Sequence, residues 1–160
     1  MNHNDKRRVC VRGIIVKDGK LFCQELKSAD GSGRGFWCTP GGGLDPLESL
    51  EDGLRRELMK ETGVAVQVGR LLFVQQFADT SDTAISHGEQ EQLEFFFLIE
   101  NPEDFEHIDE QASHFDAEIA RYGFVDVTQE HVLPKFLREI PLENYISTVS
   151  PVYTYTEFCQ

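Results

Sequence analysis

A glycine-rich turn runs straight into an acidic helical stretch between residues 38 and 64, CTPGGGLDPLESLEDGLRRELMKETGV. Helix-forming residues fill positions 45–62 and a glycine follows them, which predicts a helix that ends at Gly63. On a helical wheel, Glu57 and Glu61 fall on the same side as the leucines of this stretch. The sequence therefore predicts a helix that turns two carboxylates toward the protein interior, where an ordinary solvated helix would turn them outward.

Two inward carboxylates one helical turn apart are costly unless a cation neutralises them. A hard divalent cation does so through oxygen ligands, and Glu57 and Glu61 would supply two of those ligands. Gly53, one turn before Glu57, would leave an open face through which a ligand approaches. Ordinary charge pairs along the helix, with Gly53 as a packing notch, explain the same spacing, so both interpretations stay open.

Three consecutive glycines, Gly41 to Gly43, stand where the chain approaches this helix. Glycine lets backbone carbonyl and amide groups come close to a ligand, and helix N-termini attract anions. We therefore expect Gly42 and Gly43 to contact a bound substrate. Lys60 lies about 60° from Glu57 on the wheel, so its ammonium group is a further candidate for that contact.

The charge balance excludes some partners. The 160-residue chain has 28 acidic and 15 basic residues, and its net charge of −13 repels a nucleic-acid backbone. No apolar run approaches the roughly 20 residues that span a bilayer, and the polar start lacks the apolar stretch of a secretory signal. We therefore expect one domain in the cytoplasm, with neither a nucleic-acid nor a membrane partner.

The remaining segments mix strands with a second helix. Asp18-Gly19 is a strong signal for a two-residue hairpin. The predicted strands are residues 9–16, 20–26, 64–78, 91–100 and 121–127, and the second helix is predicted over 128–140, opening at Thr128. Residues 101–118 fit a loop or a helix, and the tail after Pro151 alternates like a strand that pairs with the sheet or with a partner. This order predicts an α/β or α+β sandwich.

The stretch from Gly42 to Val64 resembles the Nudix box, Gly-x5-Glu-x7-Arg-Glu-U-x-Glu-Glu-x-Gly-U, in which U is a bulky aliphatic residue. Eight positions fall in register over 23 residues: Gly42, Glu48, Arg56, Glu57, Leu58, Glu61, Gly63 and Val64. Lys60 departs from the pattern because the family has the first of two adjacent glutamates there. The preceding Trp37-x-x-Pro40-Gly41-Gly42 is also similar to the usual Nudix approach to the box.

The resemblance implies a Nudix domain over residues 7–142, an α/β/α sandwich around a mixed β-sheet, followed by a C-terminal tail at residues 143–160. Nudix proteins hydrolyse nucleoside diphosphates linked to another group and use magnesium or manganese. A metal-dependent hydrolase of a nucleoside diphosphate derivative is therefore implied, with Mg²⁺ or Mn²⁺ as the cofactor. None of the family's substrate-class signatures is present, so the derivative itself stays open.

The resemblance also implies roles for the residues of the box. Glu57 and Glu61 look like metal ligands, and the carbonyl of Gly41 joins them. Arg56 and Glu48 resemble the pair that orients the catalytic carboxylates. The residues with these implied roles lie in the turn and the helix that follows it.

Three questions stay open at this level. Family members often take a further ligand or base from a downstream acid, for which Glu118 and Glu94 are both candidates. Lys60 raises a second functional interpretation, a catalytically degenerate Nudix module that binds a nucleotide or a protein without turnover. The aromatic residues of the tail, residues 151–160, favour a homodimer in which this tail or the first hairpin contributes to the interface.

Overall fold

Ten strands and three α-helices make up the described part of the chain, residues 7–79, 91–108, 118–149 and 151–159 of this computed structural model. The strands are β1 (Arg8–Ile14), β2 (Val16–Lys17), β3 (Lys20–Leu26), β4 (Trp37–Cys38), β5 (Gly41–Gly43), β6 (Val68–Asp79), β7 (Glu91–Ile99), β8 (Ile119–Val125), β9 (Val132–Leu133) and β10 (Tyr153–Cys159). The helices are α1 (Leu50–Thr62), α2 (Phe136–Glu139) and α3 (Leu142–Ser147), with a short 3-10 helix at Pro102–Phe105. No helix within these ranges is long and apolar enough to cross a membrane.

The described strands form two five-stranded sheets. The first has the order β10-β6-β7-β1-β5, and the second runs β2-β3-β4-β9 with β8 paired to β3. The first sheet is mixed, because β1 is parallel to β7 and antiparallel to β5. The glycine strand β5 therefore forms one edge of the first sheet, directly before the loop that leads into α1.

Two apolar clusters hold these layers together. Leu54 and Leu58 of α1 are fully buried against residues of β1 and β7, among them Val11 and Phe97. The other cluster joins the first sheet, the second sheet and α2, with Phe136 of α2 among its buried residues. Full burial of a leucine or phenylalanine contributes roughly 1.5–3 kcal/mol, so these contacts fix α1 against the sheet. The predicted α/β class is confirmed, with the strands divided between two sheets.

The hairpin predicted at Asp18-Gly19 and the strand predicted in the C-terminal tail are both confirmed. Asp18 and Gly19 have φ angles of 50° and 75°, as a two-residue hairpin requires, and they join β2 to β3. The tail forms β10, which pairs in parallel with β6 of the same chain from Tyr153↔Phe73 to Cys159↔Asp79. The tail thus completes the edge of the first sheet opposite the glycine strand.

The predicted start of the first helix is wrong by five positions. The helix begins at Leu50 instead of residue 45, and the side chain of Ser49 caps it by accepting a hydrogen bond from the Asp52 amide at 3.1 Å. The preceding loop contains Leu47 in the left-handed region, with φ of 66°. A chain that takes this conformation cannot be continuing a right-handed helix.

The predicted second helix over 128–140 is also wrong. Asp126 accepts hydrogen bonds from the amide and hydroxyl of Thr128, which closes a turn, and the chain then enters β9. Pro134 follows, and the residue before a proline is disfavoured in a helix. Within the predicted range, the only helix is the short α2, and α3 follows it. In the ambiguous stretch 101–118, the structure has the 3-10 helix, and residues 109–117 lie outside the described part.

Candidate active site

Helix α1 turns two glutamates inward, as its spacing predicts. Glu57 and Glu61 are 8% and 7% exposed, whereas Met59 between them is 48% exposed. The two fully buried leucines of the same helix fix this orientation, because Glu57 and Glu61 share their side of the helix. The predicted inward carboxylates are confirmed.

Gly53 does not provide an open face for a ligand, so that interpretation is wrong. A Cβ atom at Gly53 would lie 2.3 Å from Cδ2 of Leu44 and 3.0 Å from Oε2 of Glu48. The space beside the glycine is therefore filled by the loop that precedes α1. The alternative reading of Gly53 as a packing notch is confirmed.

Glu61 is held at both of its carboxylate oxygens. The amide N–H of Gly41 donates to Oε2 at 2.8 Å, and the side-chain amide of Gln24 donates to Oε1 at 3.0 Å. Burial raises the pKa of Glu61 to about 7, although these two donors and the nearby Arg12 act to lower it. Glu61 is therefore a carboxyl that releases its proton only near neutral pH unless a further cation stabilises the charge.

Arg56 binds Glu57 and also donates hydrogen bonds to the segment before α1. The Arg56 guanidinium donates to both oxygens of Glu48 at 2.8 Å and to the Gly43 carbonyl at 3.0 Å, and a third nitrogen donates to Oε1 of Glu57. Hydrogen bonding from Arg56 lowers the pKa of Glu48 to about 2. The structure thus brings Arg56 and Glu48 together with Glu57, and their role in orienting a catalytic carboxylate stays a prediction.

The glycine strand allows both carboxylates to approach the backbone. Gly41 has φ of 139°, and a Cβ there would lie 2.0 Å from the Val11 carbonyl oxygen. A Cβ at Gly42 would lie 2.5 Å from Oε2 of Glu57. Side chains at these positions would displace β1 or the carboxylate, so glycine is required for this arrangement.

Arg12 is a site residue that the sequence reasoning missed. From β1, its guanidinium donates to the Gly41 carbonyl oxygen at 3.0 Å and to Oε1 of Glu94 at 3.0 Å. Glu94, one of the two candidate downstream acids, is 6% exposed and lies on β7 beside β1. The signal was a single charged residue inside the apolar run VCVRGIIV, which indicates a charge that needs a buried partner.

Gln24 is the second missed residue. It is 1% exposed on β3, and while its amide nitrogen donates to Glu61, its Oε1 has no hydrogen-bond partner. No local pattern in KLFCQEL distinguishes this glutamine from a surface residue. Its position beside Glu61 results from the packing of the second sheet against α1.

The two remaining candidates, Glu118 and Lys60, are both exposed. Glu118 is exposed in the turn before β8, where its carbonyl accepts a hydrogen bond from the Lys27 amide. Within the described ranges, its side chain has no hydrogen bond or ion pair with Glu57 or Glu61. Lys60 is exposed on α1. The roles predicted for both residues stay predictions.

The oxygen-rich character of the cluster suits a hard divalent cation. It contains the carboxylates of Glu57 and Glu61, the Gly41 carbonyl and the unpartnered amide oxygen of Gln24, and the Glu94 carboxylate is paired with Arg12. Such oxygens are the ligands that Mg²⁺ and Mn²⁺ prefer. In the described residues, no three His, Cys, Asp or Glu side chains stand close enough together to form a ready-made metal site. The residues fit the chemistry of a divalent ion, with two carboxylates from α1 at its centre.

The α/β sandwich thus presents two inward glutamates, Glu57 and Glu61, to a glycine strand. The NUDIX domain family matches residues 6–143, and the chain therefore belongs to the Nudix family of pyrophosphohydrolases.

Named relatives differ in their substrates. The chain is 30% identical over 97 residues to the nucleoside triphosphatase NudI of Enterobacter sp. (strain 638), which covers 59% of this chain and 67% of NudI. It matches the crystal structure of the MutT NUDIX hydrolase from Burkholderia pseudomallei with a TM-score of 0.63 at 24% identity, over 86% of this chain and 97% of that one. An ADP-ribose pyrophosphatase from Streptococcus suis matches with a TM-score of 0.57 at 16% identity, over 95% and 100% of the two chains. The structural matches show the fold.

Proposed function

We propose that this protein hydrolyses the pyrophosphate linkage of a nucleoside diphosphate derivative and requires Mg²⁺ or Mn²⁺. The observation that carries the proposal is the convergence of two buried glutamates, Glu57 and Glu61, on the glycine strand. Burying two carboxylates side by side is unfavourable unless a cation joins them. A chain with net charge −13 also needs such a cation to accept an anionic substrate.

The contacts of the two glutamates fit a preorganised site. Arg56 fixes one oxygen of Glu57, and the amides of Gly41 and Gln24 fix Glu61. When bound, the divalent ion would supply positive charge to the phosphate oxygens and acidify the attacking water. Because the protein groups are already oriented, little reorganisation is needed when the substrate arrives.

The substrate is proposed at the level of a class. NudI is named for nucleoside triphosphates and a structural neighbour for ADP-ribose, and both compounds contain the phosphorus anhydride that this chemistry cleaves. We expect a small-molecule substrate of this kind and a cytoplasmic location, and neither nucleic acid nor membrane as a partner.

A second candidate is a degenerate module that binds a nucleotide or a protein without turnover. Lys60 favours it, because this lysine stands where the Nudix box has a glutamate and supplies no oxygen ligand. The two candidates differ in turnover, so one measurement separates them.

The experiment is a product-release screen across nucleoside triphosphates, ADP-ribose, nucleotide sugars and dinucleoside polyphosphates, with Mg²⁺, with Mn²⁺ and with a chelator. We expect at least one compound to be cleaved with metal and none with chelator. Glu57→Gln and Glu61→Gln should abolish this turnover, while Glu51→Gln, an exposed glutamate of the same helix, should retain it. Measurable ligand affinity without turnover in any condition would favour the degenerate module and contradict the proposal.

A further inference from the structure

Arg12 lies between two oxygens on the sheet side of the site. Its Nη1 donates to the carbonyl oxygen of Gly41 and its Nε donates to Oε1 of Glu94, each at 3.0 Å. Strand register imposes this position, since Arg12 is the direct partner of Gly41 across β1 and β5. On the other side of β1, Glu94 of β7 is the partner of Cys10, two residues before Arg12. The guanidinium is therefore held from both neighbouring strands.

The Arg12 charge is permanent. Only 21% of its side chain is exposed, and 8% of that of Glu94. Burial lowers the pKa of Arg12, but the attraction of Glu94 and the other nearby acidic groups together raises it by more. The pKa of Arg12 therefore lies above its ordinary value. Guanidinium groups do not lose their proton in proteins, and a buried ion pair of this kind has little freedom to rearrange.

This ion pair changes how much negative charge remains for a metal. Three carboxylates are buried around the site, those of Glu57, Glu61 and Glu94. Arg12 neutralises the third. Arg56 contacts Glu57, but Glu48 already balances its charge, so the pair on α1 keeps two negative charges. A divalent ion carries two positive charges, so the two carboxylates of α1 balance one such ion and provide nothing for a second.

We propose that the Arg12 guanidinium is a built-in cation on the Gly41–Glu94 side of the site and limits the site to one divalent ion. This inference rests on the proposed function, which requires that Glu57 and Glu61 bind such an ion. Arg12 is then a positioning residue that keeps the Glu94 carboxylate away from the metal.

The competing explanation is that Arg12 is an ordinary structural ion pair. In that case its removal destabilises the fold, because Glu94 is left buried without a partner, and the number of bound metal ions does not change. The inference predicts instead that the number of bound ions rises, because a buried Glu94 without the Arg12 charge attracts a cation of its own.

The test counts Mn²⁺ ions bound to the metal-free 160-residue chain, from the electron paramagnetic resonance signal of free Mn²⁺. We expect one ion per chain for the wild type and two for Arg12→Gln, which keeps an N–H donor for the Gly41 carbonyl but no charge. Arg12→Lys keeps the charge and should bind one ion. Arg12→Gln combined with Glu94→Gln should also bind one, since the second carboxylate is gone. Circular dichroism establishes that each variant is folded, and Arg12→Met replaces Arg12→Gln if the latter does not fold.

Three results overturn the inference. The first is a folded Arg12→Gln protein that binds one ion, and the second is a wild type that already binds two. The third is a second ion that persists in the double variant, because it would not depend on Glu94. A wild type that binds no Mn²⁺ at all would instead refute the metal centre of the proposed function, and the inference with it. The failure of the inference alone is therefore recognised by a wild type that binds at least one ion.

Discussion

Glu61→Gln should make the metal-free protein more stable at alkaline pH and leave it unchanged in acid. Burial raises the pKa of Glu61 from 4.5 to about 7, which corresponds to about 3 kcal/mol of unfavourable free energy for the charged form in the folded state. The folded pKa lies above the unfolded one, so the contribution of this group to stability is fully present below pH 4.5. It is lost as the pH rises through about 7. Glutamine has no charge to bury and so avoids this loss.

The hydrogen bonds of Glu61 can survive the substitution. The glutamine oxygen can accept from the Gly41 amide, and its nitrogen can donate to Oε1 of Gln24, which has no partner in the wild type, once the Gln24 amide rotates. The gain at pH 8 should therefore approach the full electrostatic term of about 3 kcal/mol, or roughly 6–12 °C in Tm.

The assay is urea and thermal unfolding of wild type and variant between pH 4.5 and 8, with and without Mg²⁺. The stability difference should be close to zero at pH 4.5 and grow to its full value above pH 7. Adding Mg²⁺ at pH 8 should stabilise the wild type and leave the variant unchanged. Glu51→Gln, an exposed position on the same helix, is the control and should follow the wild type. A stability difference that does not vary with pH, or equal stabilisation of both proteins by Mg²⁺, would refute the reasoning.

Three further predictions concern Lys60, the glycine strand and the tail. Since Lys60 is exposed on α1, Lys60→Glu should raise turnover and tighten Mg²⁺ binding with little change in KM. A raised KM would show that the Lys60 ammonium contacts phosphate. Unchanged kinetics would place Lys60 outside the site. Gly42→Ala puts a Cβ 2.5 Å from the Glu57 carboxylate and should reduce kcat/KM roughly a hundredfold. The control Gly123→Ala, whose Cβ has its nearest contact at 3.9 Å, should retain activity. Equal activities of the two variants would contradict the requirement for glycine at position 42. Light scattering should show a homodimer, and deletion of residues 150–160 should disrupt it. A wild type that is monomeric at micromolar concentration would contradict this prediction.

Local physical rules account for what the sequence alone predicted correctly. The hairpin at Asp18-Gly19 depends on two residues that tolerate positive φ, and helix α1 depends on a run of helix formers closed by Gly63. The inward direction of Glu57 and Glu61 follows from the helical period once leucines define the buried side. Each of these features is determined within about one helical turn or one hairpin, so neighbouring residues were sufficient.

Only the tertiary structure decided what surrounds the two carboxylates. Arg12 reaches the site because β1 pairs with β5 on one side and with β7 on the other, and Gln24 reaches Glu61 across 37 positions in the chain. Gly53 is a notch because Leu44 from the preceding loop fills it. The sequence therefore determined which two carboxylates turn inward. The pairing of distant strands decided which charges and donors those side chains meet, because such contacts depend on sheet register that no local pattern encodes.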